Sequence, residues 1–344
     1  MKSLASDNYA GALPEVMEAI AAVNTGHAPS YGSDTVTQRT KALIQGVFGS
    51  KDAEVLFVFN GTGANVLSIT SATQSFNSVL CADTSHIYND ESSAPETISG
   101  CRFFPLPANE HGKLSADIVS RRLIRKGDVH YAQPKLLSIT QSTEYGTVYT
   151  PDEIKSLSEI TRANDMFLHM DGSRFWNAAA GLHVQLREIS SDAGVDILSL
   201  GGTKLGLLFG EAVIVFNKQL AETIRFRQKQ VMQLASKTRF IAAQFEAILT
   251  HELWRKTATH ANQMAQLLAE GLKGCNQVII TKPVEANVVF AEIPLAWNQP
   301  LMQQMPFYVW QEHTNEVRLM CAWDTQKEEI GQFIDAVRRM SDGL

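Results

Sequence analysis

The sequence is poor in the features that mark several large functional classes. Its four cysteines, Cys81, Cys101, Cys275 and Cys321, show no C-x-x-C pairing, so neither a zinc site nor a redox pair is expected and reduced thiols are. No stretch reaches the ~18–20 apolar residues of a membrane span. The longest candidate, residues 197–216, is interrupted by Lys204 and Glu211. Positive charge is not in excess: 30 Lys and Arg stand against 36 Asp and Glu, a formal net charge of −6, so no nucleic acid and no membrane surface is expected as a partner. The opening Met1-Lys2-Ser3-Leu4-Ala5-Ser6-Asp7-Asn8 has no apolar stretch behind its lysine, and a cytoplasmic location is expected. The G-x-x-x-x-G-K-[ST] spacing of a nucleotide hydrolase is missing. Gly61-Thr62-Gly63 is followed by Val66 where a dinucleotide-binding turn needs a third glycine, which disfavours a Rossmann-type dehydrogenase.

What is present is the material of an α/β protein. At 344 residues and 44% apolar content the chain exceeds the size at which single cores stop growing, and two domains are expected. From about residue 53 to 216, short apolar runs alternate with helical stretches, the pattern of a mostly parallel sheet covered on both faces. Strands are predicted at 55–59, 78–82, 136–140, 166–170 and 196–200. A helix is predicted over 64–72, and another opens at Pro151-Asp152-Glu153, where proline and acids suit a first turn. The run Glu211-Ala212-Val213-Ile214-Val215-Phe216 follows Lys204 too closely for a helical crossover, so it should run antiparallel to its neighbour. Beyond about Lys237 the pattern changes to long helices with strands near 287–290 and 317–320, and closes with Ile330, Phe333, Ile334 and Val337 on one helical face. This gives a large domain over 1–245, with an N-terminal arm, and a small α+β domain over 246–344.

Two segments carry chemistry. Phe167-Leu168-His169-Met170-Asp171-Gly172-Ser173-Arg174 and Leu198-Ser199-Leu200-Gly201-Gly202-Thr203-Lys204 place an acid and a lysine just past two apolar runs. In open α/β sheets, ligands gather at the carboxyl ends of strands. Asp-Gly alone is a turn signal and a lone lysine is usually solvated. Together they match the demands of pyridoxal phosphate (PLP): a carboxylate for the pyridine nitrogen and an amine for a Schiff base. Gly61-Thr62-Gly63, at a strand-to-helix junction, can offer amides and a hydroxyl to a phosphate.

The chain resembles the threonine aldolases of the β-eliminating lyase group, PLP enzymes of the fold type I, aspartate aminotransferase class. The likeness runs through Ser6-Asp7, Tyr31-Gly32-Ser33-Asp34, Gly61-Thr62-Gly63-Ala64-Asn65, His86 with Asp90-Glu91, His130-Tyr131-Ala132 leading into Lys135-Leu136-Leu137-Ser138, His169-Met170-Asp171-Gly172-Ser173-Arg174 and Gly201-Gly202-Thr203-Lys204. The resemblance implies that Lys204 links to the cofactor, Asp171 pairs with the pyridine nitrogen, His86 stacks on the ring, and Gly61, Thr62 and Gly63 hold phosphate. It further implies that Ser6, Arg174 and Arg318 clamp a substrate carboxylate. Tyr31 would reach a neighbouring subunit's site and Lys237 a neighbour's phosphate, in a homodimer or homotetramer. His86, His130 or water would serve as base in cleaving threonine, allo-threonine or a related β-hydroxy amino acid to glycine and an aldehyde. Elimination, or cleavage of an aromatic substrate such as phenylserine, stays open as the alternative. The sequence departs from the common pattern at Asn8, at Lys237 and at Gln141-Ser142-Thr143-Glu144, the last of which bears on substrate preference.

Overall fold

The computed structural model describes residues 2–342. Its large sheet has seven strands: β1 Glu54–Val58, β2 Asn77–Ala82, β3 Arg102–Leu106, β4 Gln133–Thr140, β5 Phe167–Gly172, β6 Ile197–Leu200 and β7 Glu211–Val215, in the spatial order β1-β7-β6-β5-β4-β2-β3. The pairings among β2 to β6 are parallel, and β7 is antiparallel to both β6 and β1. This is the mixed, mostly parallel α/β sheet expected, with the reversed strand after Lys204. Edge strand β3 was not foreseen: Arg102 and Pro105 break its apolar signal, yet a proline is tolerated at a sheet edge.

Both faces of the sheet are covered, which is why its central strands are apolar without alternation. Val55 and Phe57 pack in one core with Leu168, Met170, Leu198 and Phe245, beneath helices α1 (Pro14–Ala22) and α2 (Thr35–Val47). Leu56 and Val58 point the other way, into a core with Phe167, Ile197 and Val213 under helix α3 (Gly61–Ala72). Every residue of α3 from Gly63 to Thr70 is buried, so this helix is apolar or small nearly all round. The helix Pro151–Ala163 starts as expected, with Pro151 in its first turn and a reciprocal capping box between Thr150 and Glu153.

The small sheet, β8 Ile279–Ile280, β9 Val288–Glu292, β10 Tyr308–Gln311 and β11 Glu316–Met320, is antiparallel throughout, ordered β10-β11-β9-β8. The helices Leu253–Lys273 and Lys327–Ser341 supply its core with Leu268, Leu272, Ile330 and Phe333. The N-terminal arm packs here: the Leu4 N–H donates to the Pro306 carbonyl at 2.8 Å, its carbonyl accepts from the Met320 N–H at 2.7 Å, and its side chain is fully buried. Burying such a side chain stabilises by roughly 1.5–3 kcal/mol. The expected division at 245/246 falls inside the helix Arg239–Leu249, and we propose to place it near Leu253. Among the described residues, no helix is long and apolar enough to cross a membrane. The four cysteines are free and buried.

Candidate active site

Strand side chains alternate between faces, so Phe167, His169 and Asp171 of β5 all point toward α3. Asp171, buried there, accepts hydrogen bonds on Oδ2 from Asn65 Nδ2 at 2.9 Å and on Oδ1 from the Ser173 N–H at 3.0 Å and hydroxyl at 2.8 Å. Burial by itself would raise its pKa, but Lys204, Asn65 and Ser173 outweigh it and hold the carboxyl below the ordinary carboxylate range. One step deeper, His169 lies between the hydroxyls of Ser138 (2.8 Å) and Ser199 (3.0 Å), and burial pushes its pKa down to about 4, leaving it neutral.

Lys204 follows β6 on a turn that needs its glycines. A Cβ on Gly201 would lie 2.5 Å from the Ser173 carbonyl oxygen, and one on Gly202 the same distance from that of Gly210. Without them the loops after β5 and β6 could not press together. Trp176 Nε1 donates to the Gly201 carbonyl at 2.5 Å, and the Glu211 carboxyl accepts from the Gly202 N–H, which secures the turn from both sides. Burial, then the nearby Arg174 guanidinium, depress the pKa of Lys204 despite the carboxylates of Asp7, Asp171 and Glu144. Burial raises Glu211 to about 7.

His86 opens a short helix after β2. Its Nδ1 lies 3.2 Å from Glu91 Oε1, which accepts from Asn65 Nδ2 at 2.9 Å, so Asn65 joins the His86–Glu91 pair to Asp171. The bond to Glu91 raises the pKa of His86 in spite of partial burial.

The expected carboxylate clamp is partly engaged within the fold. Arg174 donates from Nε and Nη2 to the two oxygens of buried Asp7, at 2.8 and 2.9 Å. With Nε and one Nη2 hydrogen engaged, the two hydrogens of Nη1 and the second of Nη2 remain for a ligand. Arg318 donates from Nη2 to the Ala5 carbonyl at 3.2 Å, and its guanidinium lies over the rings of Tyr308 (5.3 Å) and Trp310 (5.1 Å). Ser6, between the residues that these arginines grip, accepts the Asn8 N–H at 3.2 Å. At the start of α3 the Asn60 side chain accepts the Gly63 N–H at 2.7 Å, while the amides of Gly61 and Thr62 have no partner among the described residues. The Gln233 carboxamide packs against Gly63 and accepts the Phe59 N–H at 3.0 Å.

This donor set fits PLP: an amine of lowered pKa, an ionised buried carboxylate beside it, and free amides at a helix start. Asn65 Oδ1, Glu91 Oε2, Asn287 Oδ1 and Arg318 Nε are buried without a partner among the described residues around the same place, as polar atoms lining a ligand site would be. A cleft of about 810 Å³ lined by Leu13, His251, Lys256 and Trp323 contains none of these groups, so size alone does not find the site.

Three expected residues stand apart. His130 is exposed in the loop before β4, its N–H on Asp128 at 2.9 Å. A parallel strand carries its ligand end at the carboxyl terminus, and β4 puts roughly 20–25 Å between His130 and that edge. The expectation of a base there is corrected. Tyr31 and Lys237 are both exposed, on adjoining segments linked by the Tyr31 N–H to the Ser236 carbonyl at 2.9 Å, and neither side chain bonds to a site residue among those described. Sequence reasoning gave no individual role to Asp7, Asn65, Glu91 or Glu211, and touched Glu144 only through the 141–144 segment that bears on substrate preference. Two of these offered a signal: Glu211 as an acid heading a wholly apolar strand, and Glu144 as part of the segment that departs from the common pattern.

The Beta-eliminating lyase family profile matches residues 3–295. The chain is 40% identical over 341 residues to the low specificity L-threonine aldolase of Pseudomonas aeruginosa, covering 98% of this chain and 97% of that one. To the enzyme of that name in Saccharomyces cerevisiae it is 27% identical over 300 residues, 86% of this chain and 75% of the other. The structure of Leishmania major threonine aldolase superposes with a TM-score of 0.94 at 27% identity, covering 99% of this chain and 100% of that one.

Proposed function

The chain belongs to the Beta-eliminating lyase family, and from that premise we propose that it is a PLP-dependent threonine aldolase, splitting L-threonine, L-allo-threonine or a related β-hydroxy-α-amino acid into glycine and an aldehyde. The observation that carries the reading is the convergence of Lys204 and Asp171 from adjacent strand ends, with the turn at Gly201 pressed onto Ser173. Lys204 would bind the cofactor's aldehyde carbon, Asp171 its pyridine nitrogen, Gly61, Thr62 and Gly63 its phosphate, and His86 its ring face. Bound there, PLP supplies a sink for the electron pair released at Cα.

The chain's own groups do the rest. Asp171, tied by Asn65 and Ser173, presents a fixed negative charge that keeps a proton on any nitrogen facing it. Lys204, its pKa depressed, supplies a fraction of neutral amine, the nucleophilic form. Arg318, through Nε and Nη1, and Arg174, through Nη1, grip the substrate carboxylate with Ser6 beside them, and this grip selects which bond at Cα is broken. Asp7 orients Arg174. Tyr31 and Lys237 serve a partner's site, which requires at least a dimer, and closed symmetric assemblies are the usual form. Four buried free thiols suit a cytoplasmic setting.

The test is direct. Protein supplied with PLP and L-threonine should release glycine and acetaldehyde in equal amounts and show a visible cofactor absorbance. Lys204→Ala should remove that absorbance and lower turnover by about a thousandfold or more. A variant that keeps both, or wild-type protein that releases pyruvate and ammonia instead, would overturn the assignment.

A further inference from the structure

We propose that the Glu144 carboxylate takes the proton from the substrate's β-hydroxyl, a role that rests on the aldolase reading above. The turn that presents it is built at the carboxyl edge of β4. The Gln141 N–H donates to the Asp171 carbonyl at 2.8 Å, and the chain reverses through Thr143 N–H to Thr147 carbonyl (2.9 Å) and Gly146 N–H to Thr143 carbonyl (2.9 Å), with Glu144 at the tip. Its Oε1 accepts the His86 backbone N–H at 3.3 Å, and Oε2 has no partner among the described residues. Asp7 and Asp171 differ in that each has both oxygens engaged. Glu144 is thus one of two carboxylates of this cluster with an oxygen to spare, the other being Glu91, whose Oε1 is taken by His86 and Asn65.

The groups that face it come from every neighbouring strand end: His86 after β2, Asp171 on β5, Arg174 after β5, Lys204 after β6, and Arg318 on β11. Burial is the largest influence and raises its pKa; His86, Arg174 and Lys204 oppose this while Asp171 adds to it, and the carboxyl remains above its ordinary value. A carboxylate moved toward neutrality is a better base than a solvated one. The competing groups are committed elsewhere. Glu91 favours the protonated form of His86, His130 is on the far edge of the sheet, and Glu211 is turned to the backbone of Gly202 and Thr203.

The step balances. The hydroxyl proton passes to Glu144, the O–H pair becomes the second bond of the aldehyde carbonyl, and the Cα–Cβ pair stays with Cα. Cα then takes its proton from water rather than from Glu144, which completes glycine, and Glu144 releases its own proton to water, so the carboxylate is restored with no proton gained or lost overall.

Glu144→Gln keeps an oxygen for the His86 N–H and removes the basic site. Two reactions of the PLP-loaded variant separate its roles: threonine cleavage, and exchange of the glycine α-proton for deuterium followed by NMR, which involves no hydroxyl. We expect kcat for threonine to fall by about 100-fold or more, KM to change by less than about threefold, and glycine exchange to change by less than about threefold. The acid limb of the wild-type kcat profile, where activity falls as Glu144 is protonated, should disappear. Infrared titration of the protein without substrate should show a carboxyl band in the wild type that the variant lacks. Threonine cleavage within threefold of wild type overturns the proposal, and so does equal loss of both reactions, which would mark a structural role. Wild-type protein that exchanges glycine but does not cleave β-hydroxy amino acids overturns the aldolase reading itself, a failure distinct from the other two.

Discussion

Asp171 shows how a single residue is set to its task. Burial favours its neutral form, yet three donors and the nearby Lys204 ammonium reverse that preference, and the result is a negative charge held away from water. Arg318 is set differently. It is partly buried, repelled by Arg174, stacked on two aromatic rings and left with an unpaired Nε, so it lacks an anion that would satisfy it. Hydrogen bonds to charged groups contribute about 1.5–3 kcal/mol, so Arg318→Ala should raise the threonine KM roughly 10- to 150-fold. PLP affinity should change little, and steady-state kinetics beside a cofactor titration would check both. Comparable loss of the two would count against the clamp.

At the scale of elements, the site depends on how closely two loops approach. The turns after β5 and β6 touch backbone to backbone at Ser173 and Gly201, leaving no room for a side chain. Gly201→Ala must push them apart, because a carbonyl cannot yield as a flexible side-chain tip can. We expect overpacking to cost about 1–3 kcal/mol of unfolding free energy in urea. PLP affinity should fall as well, because Lys204 moves with the turn. A variant as stable and as tightly loaded as wild type would show that the close approach is not required. The reversed strand β7 belongs to the same design, since its first residue, Glu211, reaches back under the Gly202 amide.

Across the whole molecule, the N-terminal arm joins the two domains. Leu4 is buried in the small domain's core, while Asp7, three residues on, holds Arg174 at the edge of the large sheet. Buried carboxyls give the fold opposing pH dependences. Asp7 and Asp171 have folded pKa values below their unfolded ones, so their contribution is complete above the unfolded value, about 3.9, and is lost as pH falls through the folded values. Glu211, raised from 4.5 to about 7, acts in reverse: its contribution is complete below 4.5 and is lost as pH rises through 7. Stability of the cofactor-free protein should therefore decline between pH 5 and 8. Glu211→Gln, which keeps an acceptor for Gly202, should remove a part of that decline on the order of 1–3 kcal/mol, the raised groups of Glu144 and His86 contributing in the same direction. Urea unfolding at both pH values would test this, and an unchanged slope in the variant would refute it.

The sequence by itself determined six of the seven strands of the large sheet and the two helices at 64–72 and after Pro151, because apolar runs bounded by turn residues report burial directly. It also determined the reversed strand, because the link after Lys204 is too short for a crossover, and the pairing of Asp171 with Lys204, because both sit just past such runs. Edge strand β3 was hidden by its own proline. Only the tertiary structure decided that Arg174 is held by Asp7, that His130 faces the wrong edge, and that Glu91, Asn65 and Glu144 surround the site. Those facts depend on which chain segments, distant in sequence, arrive at the same strand ends. A local pattern records whether a residue is buried, but a side chain's partner is set by packing across the fold.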